Sequence, residues 1–104
     1  MSKNFKFKLG VLPNFKLPVK FIMPDGEEAK ITFTVKHKTI EDVQALYQGE
    51  TADNEFITAI AEGWDLDEEF NDENVLFLVK HYPAAALSLT NSYIGAMLGQ
   101  RVKN

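Results

Sequence analysis

An α+β fold is predicted for this chain: a small N-terminal antiparallel β-sheet followed by about four α-helices that cover one of its faces. Three observations predict it. Apolar and polar residues alternate between Phe15 and Val35, the period changes from two to 3.6 at Thr39, and residues 81–100 run without one Asp, Glu, Lys or Arg in a chain that is 25% charged.

The first strand is read from Leu17, Val19, Phe21 and Met23, and the second from Ala29, Ile31, Phe33 and Val35, each set on alternate positions. Alternation places one face of each strand on a core, and Lys30, Thr32, Thr34, Lys36 and Lys38 make the other face of the second strand wet. Between the two runs stands Pro24-Asp25-Gly26. Proline presets φ for the second position of a tight turn, and glycine accepts the left-handed conformation that closes it, so a hairpin is expected. Pro18 lacks the N–H that a ladder needs, which places the first strand at an edge of the sheet. Phe5, Phe7, Leu9 and Val11 alternate in the same way and could supply a third strand before the Pro13-Asn14 turn.

Thr39-Ile40-Glu41-Asp42 resembles a capping box with Asp in place of Glu, and opens a first helix with an apolar stripe of Ile40, Val43, Leu46 and Tyr47 that Gly49 stops. A second short helix fits Asn54 to Glu62, with Phe56, Ile57 and Ile60 inward and Gly63 ending it. The acidic stretch WDLDEEFNDEN turns the chain, and Asn71 or Asp72 caps a third helix bearing Val75, Leu76, Leu78 and Val79. Pro83 suits the first turn of a fourth, where its missing N–H has no partner to lose.

One domain spanning residues 1–104 is expected, with a β-hairpin region over 1–38 and a helical region over 39–104. With 45% hydrophobic residues and a net charge of −4, the composition is that of a globular protein. Zero cysteines exclude disulfides, thiolate chemistry and Cys-based zinc sites. MSKNFKFKLG lacks the continuous apolar stretch and cleavage site of a secretion signal, so no export is expected. The charge is two-sided. Residues 1–38 carry eight lysines against Asp25, Glu27 and Glu28, a net of +5, and residues 39–104 carry twelve acids against Lys80, Arg101 and Lys103, a net of −9. Those first lysines alternate singly with apolar residues and include no arginine among them, the pattern of a solvated sheet face and not of a nucleic-acid site.

No active site is expected. Asp65, Asp67, Glu69 and Asn71 have the spacing that opens a calcium loop, but Phe70 stands where the loop needs glycine and Leu76 where it needs a bidentate glutamate. His37 and His81 have no metal-ligand spacing, no serine sits in a nucleophile elbow, and no glycine-rich loop follows a strand. No metal and no cofactor are therefore expected. Trp64 is either a binding anchor or a core residue, and in a domain of this size the core reading is favoured.

The charge-free helix carries the candidate binding surface. On a helical projection Leu87, Ile94 and Leu98 fall beside Ala86, Leu89, Tyr93, Ala96 and Met97 in one wide apolar arc. Ser88, Asn91, Ser92, Gly95 and Gly99 gather on the other side, and Ser88, Ser92, Gly95 and Gly99 form a smooth ridge at spacings of four, three and four. Glycine costs a helix about 1 kcal/mol relative to alanine, which the close approach of another backbone can offset. Ser88, Ser92, Gly95, Gly99, Tyr93 and Met97 are the candidate protein-binding residues. Two answers stay open: the helix is central within the domain, or one of its sides meets another chain. A membrane span is excluded by Pro83, Asn91, the two serines and Gln100, which hold the hydropathy too low.

Taken together, FKFKL, NFKLPVKFIMPDG, the junction FTVKHKT, the central EGWDLDEEFNDENV, HYPAAA and the ending SYIGAMLGQRVKN resemble the phage tail assembly chaperone family of long-tailed phages and prophages, over nearly the whole chain. Gln100 and Val102-Lys103 depart from the typical ending. The resemblance implies a non-catalytic protein of the host bacterial cytoplasm that binds the tape measure protein, helps recruit tail tube subunits and is not expected in the mature virion. It also implies a longer form made by ribosomal frameshifting, and leaves a homo-oligomer open. The alternative from another class is a structural virion component, a tail tube or head–tail connector protein, which would use large sheets and long loops where this chain has helices.

Overall fold

A computed structural model describes residues 7, 9–49 and 52–99. The elements run β1 (Phe15–Ile22), β2 (Glu28–Val35), α1 (Ile40–Gln48), α2 (Asp53–Ile60), β3 (Ala61–Trp64), α3 (Asp72–His81) and α4 (Pro83–Met97). This is the α+β arrangement that the change of period predicts.

β1 and β2 form the expected hairpin, in register from Phe15 opposite Val35 to Ile22 opposite Glu28. Gly26 N–H donates to the Met23 carbonyl and Met23 N–H to the Glu27 carbonyl, both at 2.8 Å. Gly26 sits at φ +92, in the region that penalises any Cβ. Asp25 adds a side-chain acceptor for Glu27 N–H at 3.0 Å. The apolar positions of both strands, Leu17, Val19, Phe21, Ile31, Phe33 and Val35, are buried together. On the outer face Lys16 donates to the Thr34 hydroxyl at 2.9 Å, and Lys20 stands directly opposite Lys30.

The third strand comes from a different place than the sequence suggests. Leu9 and Val11 lie outside any strand and are exposed, as is Phe7, while Phe5 lies outside the described residues. The strand is Ala61–Trp64, which pairs antiparallel with β2 to give the order β1-β2-β3. It begins within the span expected for the second helix: α2 stops at Ile60, and Ala61 already has extended angles. A bulge carries Glu62, so that Val35 pairs with Ala61 while Thr34 pairs with Gly63. The ladder is lengthened at both ends without further strand. Lys36 N–H reaches the carbonyl of Ile60 at 2.8 Å, and Thr32 N–H reaches the Asp65 carboxylate at 3.0 Å.

That last bond fixes which backbone groups face the free edge. Even-numbered residues of β2 point theirs toward β3, so their partners in β1, Lys16, Pro18 and Lys20, point theirs outward. Pro18 offers no N–H there, which blunts the edge against pairing with another strand.

α1 and α3 are started by side-chain caps that the sequence supplies. Thr39 accepts from Asp42 N–H at 3.0 Å to start α1, and Asn71 accepts from Asn74 N–H at 2.8 Å to start α3. Pro83 occupies the first turn of α4. α2 buries Phe56, Ile57 and Ile60 as their spacing predicts, whereas of the four apolar residues read on α3 Val75 and Leu78 are buried, Val79 is half-buried and Leu76 is exposed. α1 is anchored by Val43, with Leu46 half-buried and Ile40 exposed; the Tyr47 side chain lies outside the described set. α4 lies across β1 and buries Ala85, Ala86, Leu89 and Tyr93. Full burial of an aliphatic or aromatic side chain stabilises by about 1.5–3 kcal/mol, and the fully buried set of Val19, Phe33, Val35, Val43, Ile57, Ile60, Val75, Leu89 and Tyr93 draws on six of the seven elements. α4 is thus central to the core.

Candidate functional site: the groove between α1 and the outer face of α4

α4 has two apolar faces. The inner one is the buried set Ala85, Ala86, Leu89 and Tyr93. The outer one runs Leu87, Asn91, Ile94 and Leu98, at spacings of four, three and four, which is one stripe of a helix. Leu87 is 64% exposed and Leu98 59%, so the projection that places them in a single arc with the core is corrected. The reason is width: an arc broader than half the helix cannot all face one sheet, and the residues at its margin are left outside.

α1 forms the opposite wall. Ile40, Val43 and Gln44 of α1 face Asn91, Ile94, Gly95 and Leu98 of α4 across an open groove of about 420 Å³. Its floor is aliphatic and its polar groups are neutral amides. Glycine at 95 keeps the α4 wall low, and Ile40 is 44% exposed at the groove's end. Acidic Glu41 and Asp42 stand in the first turn of α1, and neither α1 nor α4 has a basic residue in its last turn. Among the described residues that line the groove none is a nucleophile or a general base. Such an arrangement receives apolar side chains, as a groove receives the apolar face of a helix.

The six candidate residues separate. Gly95 lines the groove. Ser88, Ser92 and Met97 are half-buried, Met97 against the core. Gly99 lies beyond the end of α4 at φ +80, where it terminates the helix, its N–H donating to the Ala96 carbonyl at 3.1 Å. Tyr93 is fully buried, and its hydroxyl donates to the Lys36 carbonyl at 2.7 Å. It holds the segment between β2 and α1 against α4, and so positions the groove's α1 wall from within the core. Burial pushes the Tyr93 phenol up from its ordinary ionisation range, the backbone at Lys38 acts the other way, and the Asp42 carboxylate adds to the rise.

Sequence reasoning misses Ile40, Val43 and Gln44 of α1, and Asn91, Ile94 and Leu98 of the α4 side, as residues that line the groove. Ile40 and Val43 are legible only as the apolar stripe of a helix, and no local pattern says which neighbour that stripe meets.

The remaining chemistry-bearing residues are used structurally. His37 Nδ1 accepts from Leu12 N–H at 2.8 Å, and the His81 ring stacks on Phe77 with centroids 4.1 Å apart. Asp65 serves Thr32 and Asn71 caps α3, so two members of the acidic turn are committed to backbone groups. Trp64 is half-buried, edge-on to Phe33 and Phe70 at 6.2 and 5.0 Å. Among the described residues no helix is long and apolar enough to cross a membrane.

Comparison with known proteins agrees with the sequence motifs. No curated protein and no solved structure matches the chain. The model of one family, described as phage tail assembly chaperone, matches residues 1–104. That match covers the whole chain, and the chain belongs to the phage tail assembly chaperone family.

Proposed function

We propose that this protein is a non-catalytic chaperone that holds the tape measure protein during tail morphogenesis and helps recruit tail tube subunits around it. The observation that carries the reading is the exposed aliphatic stripe of α4 beside α1. Leu87 and Leu98 stand exposed on one side of α4 with Ile94 half-buried between them, apolar surface that a partner's apolar side chains can cover. A tape measure protein is long and helical, and its apolar stripes match a groove with an aliphatic floor and neutral amides. The work belongs in the host bacterial cytoplasm, before the particle is complete, and a longer frameshifted form of the chain would carry the same groove.

The test is co-expression with the product of a very long helical coding frame next to this gene. The chaperone reading expects the two chains to purify together and the long chain to be less soluble alone. If the long chain is equally soluble without its neighbour and the two separate on a sizing column, the reading fails. The structural alternative makes the opposite demand, stoichiometric presence in the finished particle.

A further inference from the structure

A second groove lies along α3, and it shares no residue with the first. Asn74, Phe77, Leu78 and Tyr82 form one wall and its floor, at spacings of three, one and four along the helix. Trp64, Leu66 and Glu68 form the other wall, and the cavity holds about 440 Å³. Tyr82, the cap that follows α3, is eight positions beyond Asn74, so the groove is about 12 Å long, two turns of a partner helix.

Its lining is aromatic and held in place. The Trp64 indole N–H donates to the Glu68 carbonyl at 2.7 Å, and the ring is wedged edge-on between Phe33 and Phe70. Tyr82 meets Phe21 edge-on at 6.4 Å. Asn74 donates to the Glu69 carbonyl at 2.7 Å, which ties the turn to α3. Yet Phe77 is 57% exposed, its ring stacked on His81. Aromatic side chains preset at the mouth of a cavity are what binding hot spots are made of, because little side-chain freedom is lost on contact.

The charge around the groove selects the occupant. Residues 62–73 contain seven acids and no lysine or arginine; Glu68 lines the groove, and Asp67 and Glu69 beside it in sequence are exposed, as is Glu73 on α3. Lys80 and His81 stand at the other end of α3. An apolar floor with a carboxylate rim is complementary to an apolar stripe flanked by lysine or arginine, and it repels an acidic segment. We infer that the α3 groove docks a basic amphipathic helix of a partner protein, its apolar residues against Trp64, Phe77 and Tyr82 and its cations at Glu68 and the neighbouring acids. This holds whether or not the α1–α4 groove receives the tape measure protein.

Trp64 is the chain's single tryptophan, so its fluorescence reports this groove alone. The probe is a synthetic amphipathic peptide of about 18 residues, leucine on one face and lysine on the other, long enough to hold a helix when bound. Titrated into the intact protein, it should shift the Trp64 emission saturably, and raising salt should weaken the binding. A peptide of the same composition with its leucines scattered round the helix, and one with glutamate for lysine, should bind at least tenfold more weakly. Phe77→Ser, at an exposed position, should weaken the leucine–lysine peptide about tenfold with an unchanged melting temperature. Glu68→Lys should weaken it and reduce the salt dependence, while Leu98→Ser in the other groove should not. A silent Trp64, equal binding of the scattered or acidic peptide, or full affinity in folded Phe77→Ser and Glu68→Lys would overturn the inference.

Discussion

The hydroxyl of Tyr93, in the middle of α4, donates a 2.7 Å hydrogen bond to the backbone carbonyl of Lys36, where the chain leaves the sheet for α1. One buried phenol therefore joins sheet, linker and helix, and sets how far α1 stands from the outer face of α4. Tyr93→Phe keeps the ring and removes the donor, leaving the Lys36 carbonyl short of a partner. Urea denaturation should show a loss of about 1–2 kcal/mol.

The same residue predicts how stability responds to alkali. The folded protein raises the Tyr93 ionisation, chiefly by burial, so it favours the protonated phenol over its unfolded counterpart. That contribution is fully present below about pH 10 and is lost as pH rises through the folded value. As pH rises above about 10, the phenol's ordinary value, wild type should lose more stability than Tyr93→Phe does, measured by denaturant midpoints. Parallel curves would show that the phenol is not held neutral by the core.

The hairpin turn offers a cleaner backbone test. Gly26 sits at φ +92 with no atom within 4 Å of where a Cβ would stand, so any penalty for substitution there is conformational and not steric. Gly26→Val should cost about 1 kcal/mol or more, and Gly26→Asn distinctly less, in thermal or chemical denaturation.

Asp65 marks the end of the β2 ladder. Asp65→Ala removes the acceptor for Thr32 N–H and should cost about 1 kcal/mol, with faster amide exchange at Thr32 than elsewhere in β2. Because Asp65 is taken by a backbone donor, calcium should shift the melting temperature of neither protein.

Much of this was legible in the sequence, and the exceptions share a cause. Alternation between Leu17 and Val35, Pro24-Asp25-Gly26, Thr39, Asn71 and Pro83 are local signals, and each stands in the element it predicts. β3 was not legible, because AEGW is short, does not alternate, and follows a helical run directly; only its pairing with β2 makes it a strand. Phe7, Leu9 and Val11 show the reverse case, alternation with no partner strand to reward it. On α4 the missing charges leave two answers open, a helix central within the domain or one that meets another chain, and the burial of Ala85, Ala86, Leu89 and Tyr93 makes it central. Which leucines faced the sheet depended on the position of β1, which a projection does not contain.

The virion itself supplies a further check on the proposed role. Mass spectrometry of purified particles should find abundant tail tube subunit and little or none of this chain, while stoichiometric amounts would favour the structural reading.

Whether the groove between α1 and α4 docks the tape measure protein is decided at Gly95. Gly95→Leu fills the groove from the α4 side, away from the buried face of the helix, and leucine favours helix over glycine by about 0.8 kcal/mol. The variant should melt no lower than wild type. Overpacking a close contact costs about 1–3 kcal/mol, so co-purification with the tape measure protein should fall by one to two decades in affinity. Leu98→Ser, which removes apolar surface from the same groove at an exposed position, should fall in parallel. A folded Gly95→Leu protein that recovers the tape measure protein at wild-type affinity would rule out docking in this groove.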